Sequence, residues 1–209
     1  MPREDLTKET LTGRTVTLTV GPSATPFPVH VELLCACSIY FAQVFTDRNV
    51  VPPDHHLQFL DEDVDAFAEF VRWAYTGHLQ DYGESADPGH VVHLCRVWSL
   101  ADVLRAEGLK VEATGVLESL YRQWHGKGSV VAYEAIDYVY TQTGSGSELR
   151  EFVTRIWMER GTREDLNKVS TERKLPNEFL RDLSAALLAD RASPTRLNIG
   201  GSASGANLN

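Results

Sequence analysis

Thr15-Val16-Thr17-Leu18-Thr19-Val20-Gly21-Pro22-Ser23, then Pro26-Phe27-Pro28-Val29-His30-Val31-Glu32-Leu33-Leu34 and Ser38-Ile39-Tyr40-Phe41, is the stretch whose reading decides the fold. Val16, Leu18 and Val20 alternate with threonines, so three apolar side chains share one face of a strand. Gly21-Pro22-Ser23 supplies a turn. Pro26-Phe27-Pro28-Val29 pairs only as an edge strand, because a proline has no N–H to give to a central ladder. The two segments predict a hairpin, and Val29 to Leu34 leads from it into a helix.

Working outward, the pattern becomes helical from Asp63. Val64, Phe67, Ala68, Val71 and Tyr75 recur at helical spacing, and Phe70 and Trp73 widen the apolar stripe, so this helix is expected to be the most buried element. Asp61-Glu62-Asp63 lies where an N-cap and the positive end of the helix dipole favour acids, and Gly77 lies where a left-handed C-cap belongs. Gln80 to Gly89 is polar and is expected to be a loop. Leu94, Val97, Trp98, Ala101 and Leu104 predict a helix to about Gly108. Val116, Leu117, Leu120 and Tyr121 predict another over Val111 to Trp124.

The Gly126-Lys127-Gly128 break is the expected domain boundary. Beyond it, Ala132, Ile136, Val139 and Tyr140 mark one helix. Ser145 and Glu148 have capping-box spacing ahead of Leu149, Phe152, Val153, Ile156 and Trp157. Pro176 suits the first position of a last helix carrying Phe179, Leu180, Leu183 and Leu187. Apolar content stops at about Ala189, and Arg191 to Asn209, rich in Ser, Gly and Asn, is expected to be disordered.

The order of these pieces resembles the BTB/POZ domain, a protein-interaction fold. Three blocks carry the resemblance over roughly the first 120 residues. The first is the Val16/Leu18/Val20 strand, Phe27-Pro28-Val29-His30, Leu33-Leu34 and Ser38-Ile39-Tyr40-Phe41. The second is Asp61-Glu62-Asp63, then Phe67, Phe70 and Trp73, closing on Tyr75-Thr76-Gly77. The third is Leu100-Ala101-Asp102 followed by Leu104 and Leu109. The helical remainder resembles the tail of short fungal BTB proteins, with their Tyr-Val-Tyr, Leu-Arg and Pro-x-x-Phe helices.

The resemblance implies an α+β fold, a small mixed sheet with a β-hairpin covered by α-helices, plus a C-terminal helical extension. It also implies binding to other proteins through the outer faces of the hairpin, the Phe41–Phe45 region and the C-terminal helices. Where many members carry an Asp and a Lys or Arg that form a polar pocket near the dimer and partner groove, this chain has Thr15 and Val31. Cullin-binding members tend to carry a hydrophobic-x-Glu motif after the helix ending near Phe45, whereas Thr46 to Pro53 contains no Glu. A cullin scaffold is thus a partner that the family permits and these residues do not support. Any homo-oligomer is expected to be weak, resting on apolar contact with little dependence on salt, because only about 14 residues precede Thr15, too few for a swapped strand and helix.

With 209 residues and 43% hydrophobic content, the chain suffices for one full core and a small appended bundle. A net charge of -9 opposes any direct grip on nucleic-acid phosphates or an anionic membrane. No segment reaches the ~18 uninterrupted apolar residues of a membrane span, and Met1 to Thr10 lacks the pattern of a signal peptide. The expected setting is therefore cytoplasmic or nuclear. Cys35, Cys37 and Cys95 are too few for a disulfide framework and are expected to be reduced and buried.

The chemical constellations are incomplete. Asp61, Asp63 and Asp65 begin like a calcium loop, but Ala66 and Arg72 stand where Gly and a bidentate Glu are required. His90, His93 and the cysteines lack structural-zinc spacing. Gly126-Lys127-Gly128-Ser129 lacks the upstream Gly and the Lys-Ser/Thr step of a phosphate loop, and no nucleophile elbow occurs. His55-His56 is expected to be solvated in a Pro-rich loop, and the family resemblance implies that His30 caps or braces the hairpin–helix junction, a structural and not a catalytic role. Trp73, Trp98, Trp124 and Trp157 are expected in the core. No catalytic, cofactor-binding or metal-ligating residue is assigned. The expectation is a non-enzymatic adaptor or scaffold, with a flexible start over 1–11, the BTB/POZ domain over 12–125, the helical extension over 126–190 and a tail over 191–209. A cryptic enzyme or metal protein is the alternative from another class.

Overall fold

The computed structural model describes residues 6–46, 56–81, 87–124 and 131–192. After a short helix α1 (Lys8–Thr12), strands β1 (Thr15–Val20) and β2 (Thr25–His30) pair antiparallel, with Thr15 opposite His30 and Leu18 opposite Phe27. Val16, Leu18 and Val20 are buried, as their alternation predicts. Gly21 turns the hairpin at φ +71°, and a Cβ there would stand 2.4 Å from a Val64 methyl, so conformation and space both require glycine.

On the other side of β1 lies a parallel strand, β3 (His56–Phe59), giving the sheet order β2-β1-β3. The sheet is mixed and β2 is at an edge, where Pro26 and Pro28 leave no ladder bond unmade on an inner side. His56, expected in a solvated loop, opens this strand instead. Four residues are too few to display a period, and the pairing that creates β3 comes from Thr17 to Val20.

Helices α2 (Val31–Cys37) and α3 (Ile39–Thr46) follow the hairpin, then α4 (Val64–Thr76). Asp63 caps α4 by accepting from Ala66 N at 2.9 Å, and Gly77 at φ +76° closes it with a bond to Trp73 O at 2.8 Å. The buried face of α4 is Ala66, Phe67, Phe70, Trp73 and Ala74, whereas Ala68 of the expected stripe is exposed. The aromatic rings set that rotation. Phe67 meets Phe27 at 5.6 Å and Phe59 at 5.3 Å, and Phe70 meets Phe41 at 6.1 Å, so α4 is keyed to the sheet and to α3.

Helix α5 (Pro88–Val103) begins earlier than expected, with Asp87 and His90 forming a reciprocal capping box. Its expected run to Gly108 is broken at 104–106, and α6 (Glu107–Gln123) starts ahead of Val111. The extension consists of α7 (Tyr133–Gln142), α8 (Glu148–Arg160), α9 (Arg163–Glu172) and α10 (Asn177–Ala192). Ser147, and not Ser145, caps α8, because Gly146 at φ +79° reverses the chain just before it. Pro176 sits one residue ahead of α10, its carbonyl accepting from Leu180 N. The helix continues through Arg191 and Ala192, two residues into the expected tail.

One hydrophobic core runs from Val16 to Leu183. The extension shares it: Tyr121 meets Phe152 at 5.8 Å, and Arg155 pairs with Glu118 at 2.9 Å. The Gly126-Lys127-Gly128 break and the rest of the tail, 193–209, lie outside the described residues, as do His55, most of the Thr46–Pro53 segment and the middle of the Gln80–Gly89 loop.

Candidate protein-interaction groove

The site is built around Ser38. The apolar run from Val31 would otherwise continue as one helix, but Ser38 is extended (φ -143°, ψ 122°) and divides it into α2 and α3. Its hydroxyl accepts from Phe41 N at 3.2 Å, a side-chain cap on α3, and donates to Leu104 O at 2.6 Å. Ile39 N and Tyr40 N donate to Arg105 O and Leu104 O at 3.3 and 3.4 Å. The first amides of α3, which have no intrahelical partner, are thus satisfied by the turn between α5 and α6.

Between these elements lies an open groove of about 740 Å³. Cys35, Ile39, Ala42 and Gln43 line one wall, and Arg105, Glu107 and Gly108 the other. Ile39 is 45% exposed, a large apolar side chain presented to solvent at the groove. Arg105 Nη1 donates to Gln43 Oε1 at 3.3 Å, closing the groove across 62 residues of sequence. Burial, then the Glu32 carboxylate, holds the Cys35 thiol above its ordinary value, so it is a neutral apolar lining group and no thiolate nucleophile. A second hollow of about 490 Å³ lies between the end of α4 and α6, where Glu112 accepts from Trp73 Nε1 at 2.8 Å and Leu79 N at 2.7 Å.

Beneath the groove wall, Lys110 ties the parts together. Its ammonium is 2.8 Å from Asp102, 3.7 Å from Glu107 and 3.9 Å from Glu148 of α8, and lies over the Trp98 ring at 4.7 Å. Burial draws the Lys110 pKa down, but the three carboxylates outweigh it and the net displacement is upward. Asp102 of the Leu-Ala-Asp block therefore serves as an anchor for α6.

The expected interaction region over Phe41–Phe45 is partly in the core and partly at the groove. Phe41 is fully buried, and Ile39, Ala42 and Gln43 are the residues that reach the groove. Val31 is buried at the start of α2, and Thr15 faces His30 across the hairpin. Charges flank these positions, on Arg14 and Glu32, and Arg14 lies over the Phe45 ring at 5.8 Å. Sequence reasoning missed Arg105, Glu107 and Gly108 altogether, since they fell inside a stretch taken as continuous helix.

Asp63, His90 and Cys95, three of the residues weighed as metal ligands, have other surroundings. Asp63 spends one oxygen on Ala66 N and the other on Arg96 Nη1 at 2.9 Å. His90 Nδ1 is 2.9 Å from Asp87, and its backbone bond to that carboxylate lowers the Asp87 pKa. Cys95 is buried at the centre of α5, its thiol pushed up to about 12 by desolvation. Among the described residues, no cluster of three or more His, Cys, Asp or Glu is arranged to hold a metal. Also among them, no helix is long and apolar enough to cross a membrane.

A sequence model of the BTB/POZ domain matches residues 7–113, just over half of the chain. The chain belongs to the BTB/POZ family. The matched residues hold the hairpin, the α2–α3 pair, α4, α5 and the start of α6, the BTB/POZ domain is a protein–protein interaction module, and the resemblance of the three sequence blocks is explained. Among solved structures, it is similar to the BTB domain of zebrafish PATZ1, with 22% identity and a TM-score of 0.38 over 50% of this chain and 75% of that one. It is also similar to the BTB domain of human Gigaxonin, with 20% identity and a TM-score of 0.37 over 48% and 75%. No curated protein matches it.

Proposed function

We propose that this BTB/POZ protein is a non-enzymatic adaptor or scaffold, docking a segment of another protein in the groove between α2–α3 and the α5–α6 turn. The observation that carries the reading is the groove itself, with Ile39 held out to solvent on a rigid helix start. Its walls are pre-ordered by the Ser38 and Leu104 bonds, so little conformational freedom is lost when a partner binds. Self-association is a weak, apolar adjunct to this role, and the helical extension stiffens the domain through Lys110 and Glu148.

Affinity purification of the full chain from its native cells, compared with an Ile39→Asp variant of unchanged melting temperature, tests the reading. Loss of the wild-type partner set in the variant is the expected result. An identical set in both would remove the groove from the docking role.

A further inference from the structure

We draw no further inference here: the strongest candidate, the exposed apolar face that Leu180, Leu187 and Leu188 give to α10, has nothing in the structure to show what covers it.

Discussion

The Nδ1 atom of His30, at the end of β2, lies 2.8 Å from the phenolic oxygen of Tyr75 in the last turn of α4, and the two rings meet edge-on at 5.9 Å. The same oxygen accepts from the His30 backbone N–H at 3.3 Å. One hydroxyl therefore joins the hairpin–helix junction to the Tyr-Thr-Gly end of α4 across 45 residues of sequence, and His30 is a brace, as the family resemblance implied.

Tyr75→Phe removes both bonds and keeps the ring contact. It is expected to cost about 1–2 kcal/mol, since the part-buried His30 groups lose their partner. A chemical denaturation curve superimposable on that of wild type would show that water replaces the hydroxyl without loss.

Trp73→Ala is expected to unfold or severely destabilise the protein. The indole is 4% exposed, holds Glu112 through Nε1 at 2.8 Å, and truncating such a side chain costs about 3–5 kcal/mol. Trp73→Phe keeps most of the packing and loses only the Glu112 bond, so its midpoint is expected between the other two. A melting temperature for Trp73→Ala within about 2 °C of wild type would contradict the burial.

Arg150 and Glu178 are predicted to be unequal partners. The Arg150 side chain is 6% exposed and that of Glu178 52% exposed, with their charged ends 2.5 Å apart. The guanidinium also bonds the Tyr140 and Thr143 carbonyls and stacks on the Tyr140 ring at 4.5 Å. Arg150→Ala strands buried carbonyls and is expected to cost about 3–5 kcal/mol, whereas Glu178→Ala is expected to cost about 1 kcal/mol or less. Equal costs in parallel thermal melts would refute the asymmetry.

Stability is predicted to fall in alkali. Burial pushes the Cys95 thiol from 9.0 to about 12, and burial with the Asp182 carboxylate pushes Tyr140 from 10.0 to about 12. Tyr121 is raised by burial and by Cys95 in the same direction. Above pH 9 the unfolded chain releases protons that the folded chain keeps, so the stabilisation, complete below that pH, is lost progressively up to about pH 12. Cys95→Ala is expected to flatten the pH 9–12 part of a melting-temperature profile. An unchanged slope in that variant would mean that Cys95 ionises freely in the native state.

Truncation after Ala192 is expected to leave stability unchanged. Leu183 is the last buried residue of α10, and Leu187 and Leu188 beyond it are exposed. A cooperative loss of helical circular dichroism on that truncation would show that residues 193–209 contribute to the core.

Among the helices, legibility followed the range of the interactions. Asp63 with Ala66, and Gly77 with Trp73, lie within one turn of each other, so their caps are visible in sequence. The capping box of α5 was equally local, but Asp87 and His90 stood in a polar stretch where no apolar period drew attention to it. Helix α9 escaped for the same reason, since Arg163 to Glu172 has scarcely any apolar stripe.

What the sequence by itself determined is the hairpin, the edge placement of Pro26 and Pro28, the caps of α4, and the family, all of which depend on neighbours a few residues apart or on the order of short blocks. Tertiary structure alone decided β3, whose four residues become a strand only when laid beside Thr17 to Val20. It also decided the groove, for Ser38 and Leu104 are 66 residues apart and Arg105 and Gln43 are 62 apart. Contacts at such separations carry no period and no local propensity. They exist because closing the long loops between them is repaid by burial of one continuous core, which is a property of the whole chain.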